Sequence, residues 1–252
     1  EAGAKGEEKE SAIAGQSLRV NVGVLENLMT MVSELVLTRN QLLQILRTQR
    51  DNSFTTPLQR LSHVVSDLQE GVMKTRMQPI DTIWSKFPRL VRDLAAACGK
   101  QVRLELQGKE TELDKSLIEA IKDPLTHILR NSVDHGVESP DVRAAAGKPE
   151  QGTVMMRAFH EGGLVNIEVI DDGGGIDPER VKRKALERGL IDTATADRLS
   201  RNEILDLIFL PGFSTAAKVT NLSGRGVGMD VVRTNIERIG GTVELSSQPG
   251  QG

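Results

Sequence analysis

Apolar residues repeat first at helical spacing and only later at strand spacing. In residues 18–48, Leu25, Leu28, Val32, Leu35, Leu42 and Leu46 form a near-heptad seam broken at Arg39. Val24, Met31 and Ile45 widen that seam into a stripe too broad for one partner helix. Residues 50–57, with Asp51, Asn52, Ser53 and Pro57, read as a short turn. A second amphipathic run comes next at Leu58, Leu61, Val64, Val65, Leu68 and Val72. Two such helices make an antiparallel hairpin, and one hairpin cannot bury stripes this wide. Pairing with a second copy would close a four-helix bundle, the alternative being packing on the rest of the chain. Pro79 ends the hairpin region, and the domain boundary is expected near Met77.

Beyond it the pattern is mixed. A helix burying Ile83, Trp84, Phe87, Leu90, Val91 and Leu94 is expected to stop at Gly99. Residues 101–107 alternate as a half-exposed strand. A long helix over 118–138 and a polar turn region over 139–152 are next. Residues 153–160 and 165–170 read as two strands joined at Gly162–Gly163. Helices are expected over 178–188, capped by Asp177, over 202–209 and over 227–239, with a final strand over 242–246. The fold class expected is an all-α helical hairpin, a dimeric four-helix bundle, followed by an α+β sandwich. The expected division is a flexible linker over 1–17, a dimerisation hairpin over 18–77 and an α+β domain over 78–252, its last strand missing. An opening without Met suggests a piece of something longer.

The chemistry concentrates on the 118–138 helix. Ile121, Leu125, Ile128, Leu129 and Val133 supply its apolar face. Steps of three and four place His127, Arg130, Asn131 and Asp134 together opposite it, with His135 one turn beyond Asn131. An amide oxygen is a hard ligand for Mg2+, and imidazoles and a guanidinium suit phosphate oxygens.

Net charge of −3, an aromatic share of 2% and the absence of Tyr argue against nucleic-acid binding. Cys98 is the only cysteine, so no intramolecular disulfide forms, and a buried structural thiol is expected. No run is apolar enough to cross a bilayer, and the compartment expected is the cytoplasm, with membrane association only through partners.

Three glycine-rich segments lie after the helix. DDGGG, 171–175, comes directly after a strand and holds a carboxylate at a sheet edge beside open backbone. Such a carboxylate can accept the exocyclic amine of adenine. FLPGFST spans 209–215, and GRGVG, 224–228, opens a helix whose N-terminus suits phosphate, with Arg225 adding charge. A dinucleotide-binding loop fails on context, since GRGVG does not come after a strand. A Walker loop fails because no Gly-Lys-Ser/Thr occurs.

The order of these segments resembles the N, G1, F and G2 boxes of histidine protein kinases and of the gyrase, heat-shock and mismatch-repair ATPases. More narrowly, MKTRMQPIDTIWSKFPRLVRDLA, ELDKSLIEAIKDPLTHILRNSVDHGVE, IFLPGFST and SGRGVGMDVV resemble the chemotaxis histidine kinases of the CheA family. The resemblance implies a dimerisation hairpin, which favours pairing with a second copy, and an ATP-binding domain that transfers the γ-phosphoryl group in trans to a histidine on a separate domain. It implies ATP and Mg2+ as cofactors, with Asn131 the metal-binding amide. His127 and Arg130 would act at the phosphates, with Asp134 and His135 nearby. Asp171, Gly173 and Gly175 would form the adenine pocket. Gly224, Arg225, Gly226 and Gly228 would shape the phosphate side, residues 210–223 a lid, and Lys184 or Arg180 would reach a phosphate. The implied partners are a second copy, a phosphoacceptor domain, the adaptor CheW, chemoreceptors and response regulators, the last three through domains absent here. None of the four histidines has a phosphoacceptor context. Two other readings compete: an ATP-hydrolysing conformational machine, for which no acid stands near Asn131 to activate water, and a nucleotide-binding scaffold without catalysis.

Overall fold

In a computed structural model, residues 20–48, 54–213 and 228–252 are described. The chain divides into two compact units after Met77.

The first unit is a helical hairpin of α1 (Val22–Thr48) and α2 (Thr55–Lys74). Val32, Leu58 and Val65 are buried between the two helices. Arg39, which interrupts the apolar seam, donates from Nη1 to Ser66 Oγ at 3.1 Å. Val24, Leu28, Met31, Leu35, Leu42 and Ile45 on α1 and Leu61, Val64 and Leu68 on α2 remain exposed. A single hairpin therefore leaves most of its stripe in water, as the width of the pattern requires.

β1 (Met77–Pro79) starts at the division itself, and α3 (Asp81–Trp84) and α4 (Phe87–Ala97) come next in the second unit. The apolar pattern predicts one helix across this stretch, but residues 85–86 break it in two, and Pro88 suits the first turn of α4. Gly99 lies just beyond in the left-handed region at φ 65° and lets the helix stop. β2 (Val102–Gln107) and β3 (Glu112–Asp114) lead into α5 (Lys115–Asn131), which Asp114 caps by accepting from the Ser116 amide at 2.7 Å. Helix α6 (Pro140–Ala145) is next, then β4 (Gly152–Glu161) and β5 (Leu164–Asp171). Last come α7 (Pro178–Glu187), α8 (Thr193–Ala196), α9 (Arg201–Asp206) with a 3-10 turn at Leu207–Phe209, and α10 (Met229–Arg238).

β2, β4 and β5 form a mixed sheet in that order, β2 parallel to β4 and β4 antiparallel to β5. The parallel pair needs a crossover, and α5 lies within it. β1 pairs with β3 in a separate ribbon. The β4–β5 turn is Gly162–Gly163, both at positive φ. Val154, Met156 and Ala158 of β4 pack with Val91 of α4 and Ile121, Leu125 and Leu129 of α5 in the main core. A smaller cluster joins Val181 and Ala185 of α7 to Ile204, Leu207 and Phe213.

Three further expectations are corrected. Residues 139–152, read as a polar turn region, contain α6: Ser139–Pro140 starts it, Gly147 lies past its end at φ 74°, and Arg143 within it is 1% exposed. Residues 242–246, read as a strand, carry no ladder, although their exposure still alternates. Period two is a necessary property of a strand, but the ladder also needs a partner edge. Beyond them the segment docks on the Asp-Gly loop instead, Ser247 Oγ accepting from the Ile176 amide at 2.8 Å. Cys98, expected to be buried, is only partly so.

Candidate functional site

The long helix ends differently from its pattern. α5 stops at Asn131, and Ser132–Gly136 continues as a π turn, closed by the Val137 amide on the Ser132 carbonyl at 2.8 Å. A π turn inserts an extra residue into the ladder and rotates the downstream residues around the axis. His127, Arg130 and Asn131 stay on regular helix. Asp134 meets the end of α4: its carbonyl accepts from Lys100 Nζ at 2.6 Å, and its carboxylate lies 3.6 Å from Cys98 Sγ, on which Arg130 also acts. His135 is exposed, 3.5 Å from the Asp134 carboxylate. Burial raises the Cys98 thiol pKa, reinforced by Asp134.

Asn131 looks toward α10. Its amide donates to Met229 Sδ at 3.1 Å, the first residue after Gly228, which is the N-cap of that helix. That bond occupies the amide nitrogen and leaves the carbonyl oxygen available. His127 is half-buried, and its pKa is lowered first by burial and then by Arg130; Asp230 on α10 opposes this and His135 adds to it. The imidazole is thereby biased toward its neutral form. Gly228 thus stands beside the Asn131 helix, while Gly224, Arg225 and Gly226 lie outside the described residues, as do residues 214–223 of the expected lid.

Asp171 ends β5 and meets the π turn. Gly173 donates its amide to Asp171 Oδ1 at 3.1 Å, and the Ser132 side chain also hydrogen-bonds the carboxylate. Burial is the main cause of a raised Asp171 pKa; these two hydrogen bonds oppose it, and Asp172 and Glu138 add to it. A Cβ at Gly173 would stand 2.1 Å from the Gly136 carbonyl oxygen, so no other residue fits there. Gly175 adopts φ 71° against the backbone of Gln248. The glycines therefore let the Asp171 loop lie directly on the end of the α5 segment.

Sequence reasoning missed the charges behind this loop. Arg143 donates to Glu138, to both carboxylate oxygens and the carbonyl of Asp172, and to the Pro149 carbonyl, all within 3.1 Å. Lys148 donates to Glu138 at 2.9 Å and to the carbonyls of Asp172 at 3.0 Å and Gly173 at 2.7 Å. Burial pushes the Glu138 carboxyl up, but Lys148, a backbone hydrogen bond and Arg143 outweigh it and leave the pKa lowered. The Ser-Pro helix start and the Gly147 stop were legible; the inward direction of Arg143 was not.

Lys184, expected to reach phosphate, lies 4.9 Å over the Phe213 ring. Burial lowers its pKa, with Arg188 and Arg180 adding to this. Arg188 holds the same loop by donating to the carbonyls of Gly212, at 2.8 Å, and Phe213. Among the described residues no group of three or more His, Cys, Asp or Glu forms a metal cage.

A sheet with helices packed on its core, an amide-bearing helix ending in a π turn, and an Asp-Gly loop seated on that turn define a nucleotide-binding ATPase domain. The chain belongs to the family described as Histidine kinase-, DNA gyrase B-, and HSP90-like ATPase, which matches residues 120–252, more than half of its length. Residues 15–75 match the Signal transducing histidine kinase, homodimeric domain. Among named relatives, Chemotaxis protein CheA of Bacillus subtilis is 44% identical, over 97% of this chain and 36% of that protein. Chemotaxis protein CheA of Klebsiella aerogenes is 50% identical over 94% and 36%, and Sensor histidine kinase CheAY of Helicobacter pylori 48% over 94% and 30%. The chain therefore spans about a third of the length of these relatives. No helix among the described residues is long and apolar enough to cross a membrane.

Proposed function

We propose that this chain is the core of a chemotaxis histidine kinase. It binds Mg-ATP in the second unit and transfers the γ-phosphoryl group to a histidine on a separate domain, in trans within a homodimer. The observation that carries this reading is the meeting of three elements around Ser132–Gly136: Asn131 bonded to Met229, Asp171 bonded to Gly173 and Ser132, and Gly136 against Gly173.

Asp171 accepts the adenine amine, with Gly173 and Gly175 as the pocket edge. Asn131 offers one carbonyl oxygen to Mg2+. A lone protein oxygen suits magnesium, which keeps several waters and takes its other ligands from phosphates. Magnesium, when bound, neutralises charge on the β- and γ-phosphates. Arg130 adds positive charge at the phosphates, and the neutral-biased His127 assists proton movement at the acceptor. Gly224, Arg225, Gly226 and Gly228 supply backbone donors and charge on the phosphate side. Asp134, half-exposed beside Cys98, the exposed His135, and Lys184 over the Phe213 ring complete the proposed nucleotide-binding set. The cytoplasm, and receptor arrays reached through CheW and chemoreceptors, form the proposed setting, with response regulators downstream.

The test supplies a histidine phosphoacceptor domain and labelled ATP to the purified chain. Transfer is expected with the wild type and is abolished in Asn131→Asp, whose dimer stays intact by sedimentation. Undiminished transfer in that variant refutes the assignment.

A further inference from the structure

Resting on the nucleotide reading above, we infer that Arg143 and Lys148 are positioning residues that give Asp171 its selectivity for adenine. One peptide unit links the two cations to the carboxylate. The Asp172 carbonyl and the Gly173 amide belong to the same planar trans peptide, so they point in opposite directions. The carbonyl is held by Arg143 Nη1 at 3.1 Å and Lys148 Nζ at 3.0 Å. Its other end, the Gly173 N–H, is thereby aimed at Asp171 Oδ1, 3.1 Å away. Two cations on the carbonyl also polarise the amide and strengthen it as a donor.

The remaining bonds tie the loop down around that peptide or anchor the two cations to Glu138 and Pro149. The Asp172 carboxylate takes both Arg143 nitrogens and the Thr153 amide, the last at 2.9 Å, which pins the loop to the start of β4. Lys148 Nζ uses its three protons on Glu138, Asp172 and Gly173. Arg143 is 1% exposed, and its Nε is used on the Pro149 carbonyl. Arg143 and Lys148 spend their bonds on Glu138, Pro149, Asp172 and Gly173, so the two cations reach the Asp171 carboxylate through the loop backbone, while Asp172 and Glu138 also act on it through their charge. A tilted 172–173 peptide would withdraw a hydrogen bond from Asp171, free its rotamer and leave the carboxylate buried with less support. The consequence falls on the 6-amine, which a base carrying oxygen there lacks, such a base also bearing a proton on the adjacent ring nitrogen.

Binding of ADP and of inosine diphosphate to the 252-residue chain, by titration calorimetry with Mg2+, tests this. The wild type is expected to prefer ADP. Lys148→Met should weaken ADP by about tenfold while leaving inosine diphosphate nearly unchanged, and Lys148→Arg should restore most of the preference. Arg143→Lys, which keeps the charge but loses the fork, should show the same selective loss should Lys148→Met fail to fold. Equal weakening of both nucleotides, or of neither, overturns the inference and leaves Arg143 and Lys148 as scaffold. Asp171→Asn should erase the preference by itself. If it does not, the base-pocket reading fails as well, a result separable from the outcome at Lys148.

Discussion

Asp171 carries two opposed demands. A buried carboxylate costs free energy as an anion, and its raised pKa expresses that cost, yet the ionised form is the stronger acceptor for an adenine amine. The consequences for stability and for binding have opposite signs. Because the folded pKa lies above the unfolded value, protonation of Asp171 favours the fold. That contribution is complete below the ordinary carboxylate range and disappears as pH rises through the raised value. Nucleotide affinity, in contrast, falls as pH drops through the same raised value. Melting temperature against pH, measured without nucleotide, should therefore lose part of its slope in Asp171→Asn. Identical slopes for variant and wild type would remove Asp171 as the source.

At the scale of elements, the end of α5 decides the geometry. The regular helix fixes His127, Arg130 and Asn131, and the π turn then sends Asp134 to Lys100 and brings Ser132 to Asp171. Helical periodicity up to Asn131 was legible because Ile121, Leu125 and Leu129 recur on one face and are all buried. Periodicity could not report the extra residue, since Val133 remains apolar and buried whichever way the turn winds. The α6 helix was missed for a related reason: its inward group is a guanidinium, and binary patterning counts Arg143 as surface. The glycines of the Asp-Gly loop, by contrast, could be read because close approach demands them. Gly173→Ala should destabilise the second unit by at least about 2 kcal/mol, since its Cβ would collide with the Gly136 carbonyl. Urea denaturation measures this, and an unchanged midpoint would mean that the loop does not sit against the π turn.

At the scale of the whole molecule, the two units answer different problems. The hairpin pattern was legible as an interface because its stripe is wider than two helices can cover, and Val24 and Met31 remain 52% and 60% exposed. The homodimeric-domain match covers the same helices. Val24→Glu with Met31→Glu should cost the lone hairpin little, yet place charge in the centre of a four-helix bundle. Sedimentation should then report the 27.5 kDa monomer, with nucleotide binding retained. A persistent dimer would move the interface elsewhere. The ATPase-family unit was legible through the order of its glycine segments, and its supporting charges were not, because they lie between elements that the sequence separates.

The pocket itself is most directly tested by hydrogen exchange with and without Mg2+ and a non-hydrolysable ATP analogue. Protection is predicted to rise at Ser132–Gly136, at residues 171–175 and at the start of α10, all three together. Protection confined to one of these segments, or to the groove lined by Gln107, Arg157 and Phe159 on the sheet, would contradict a single shared nucleotide site.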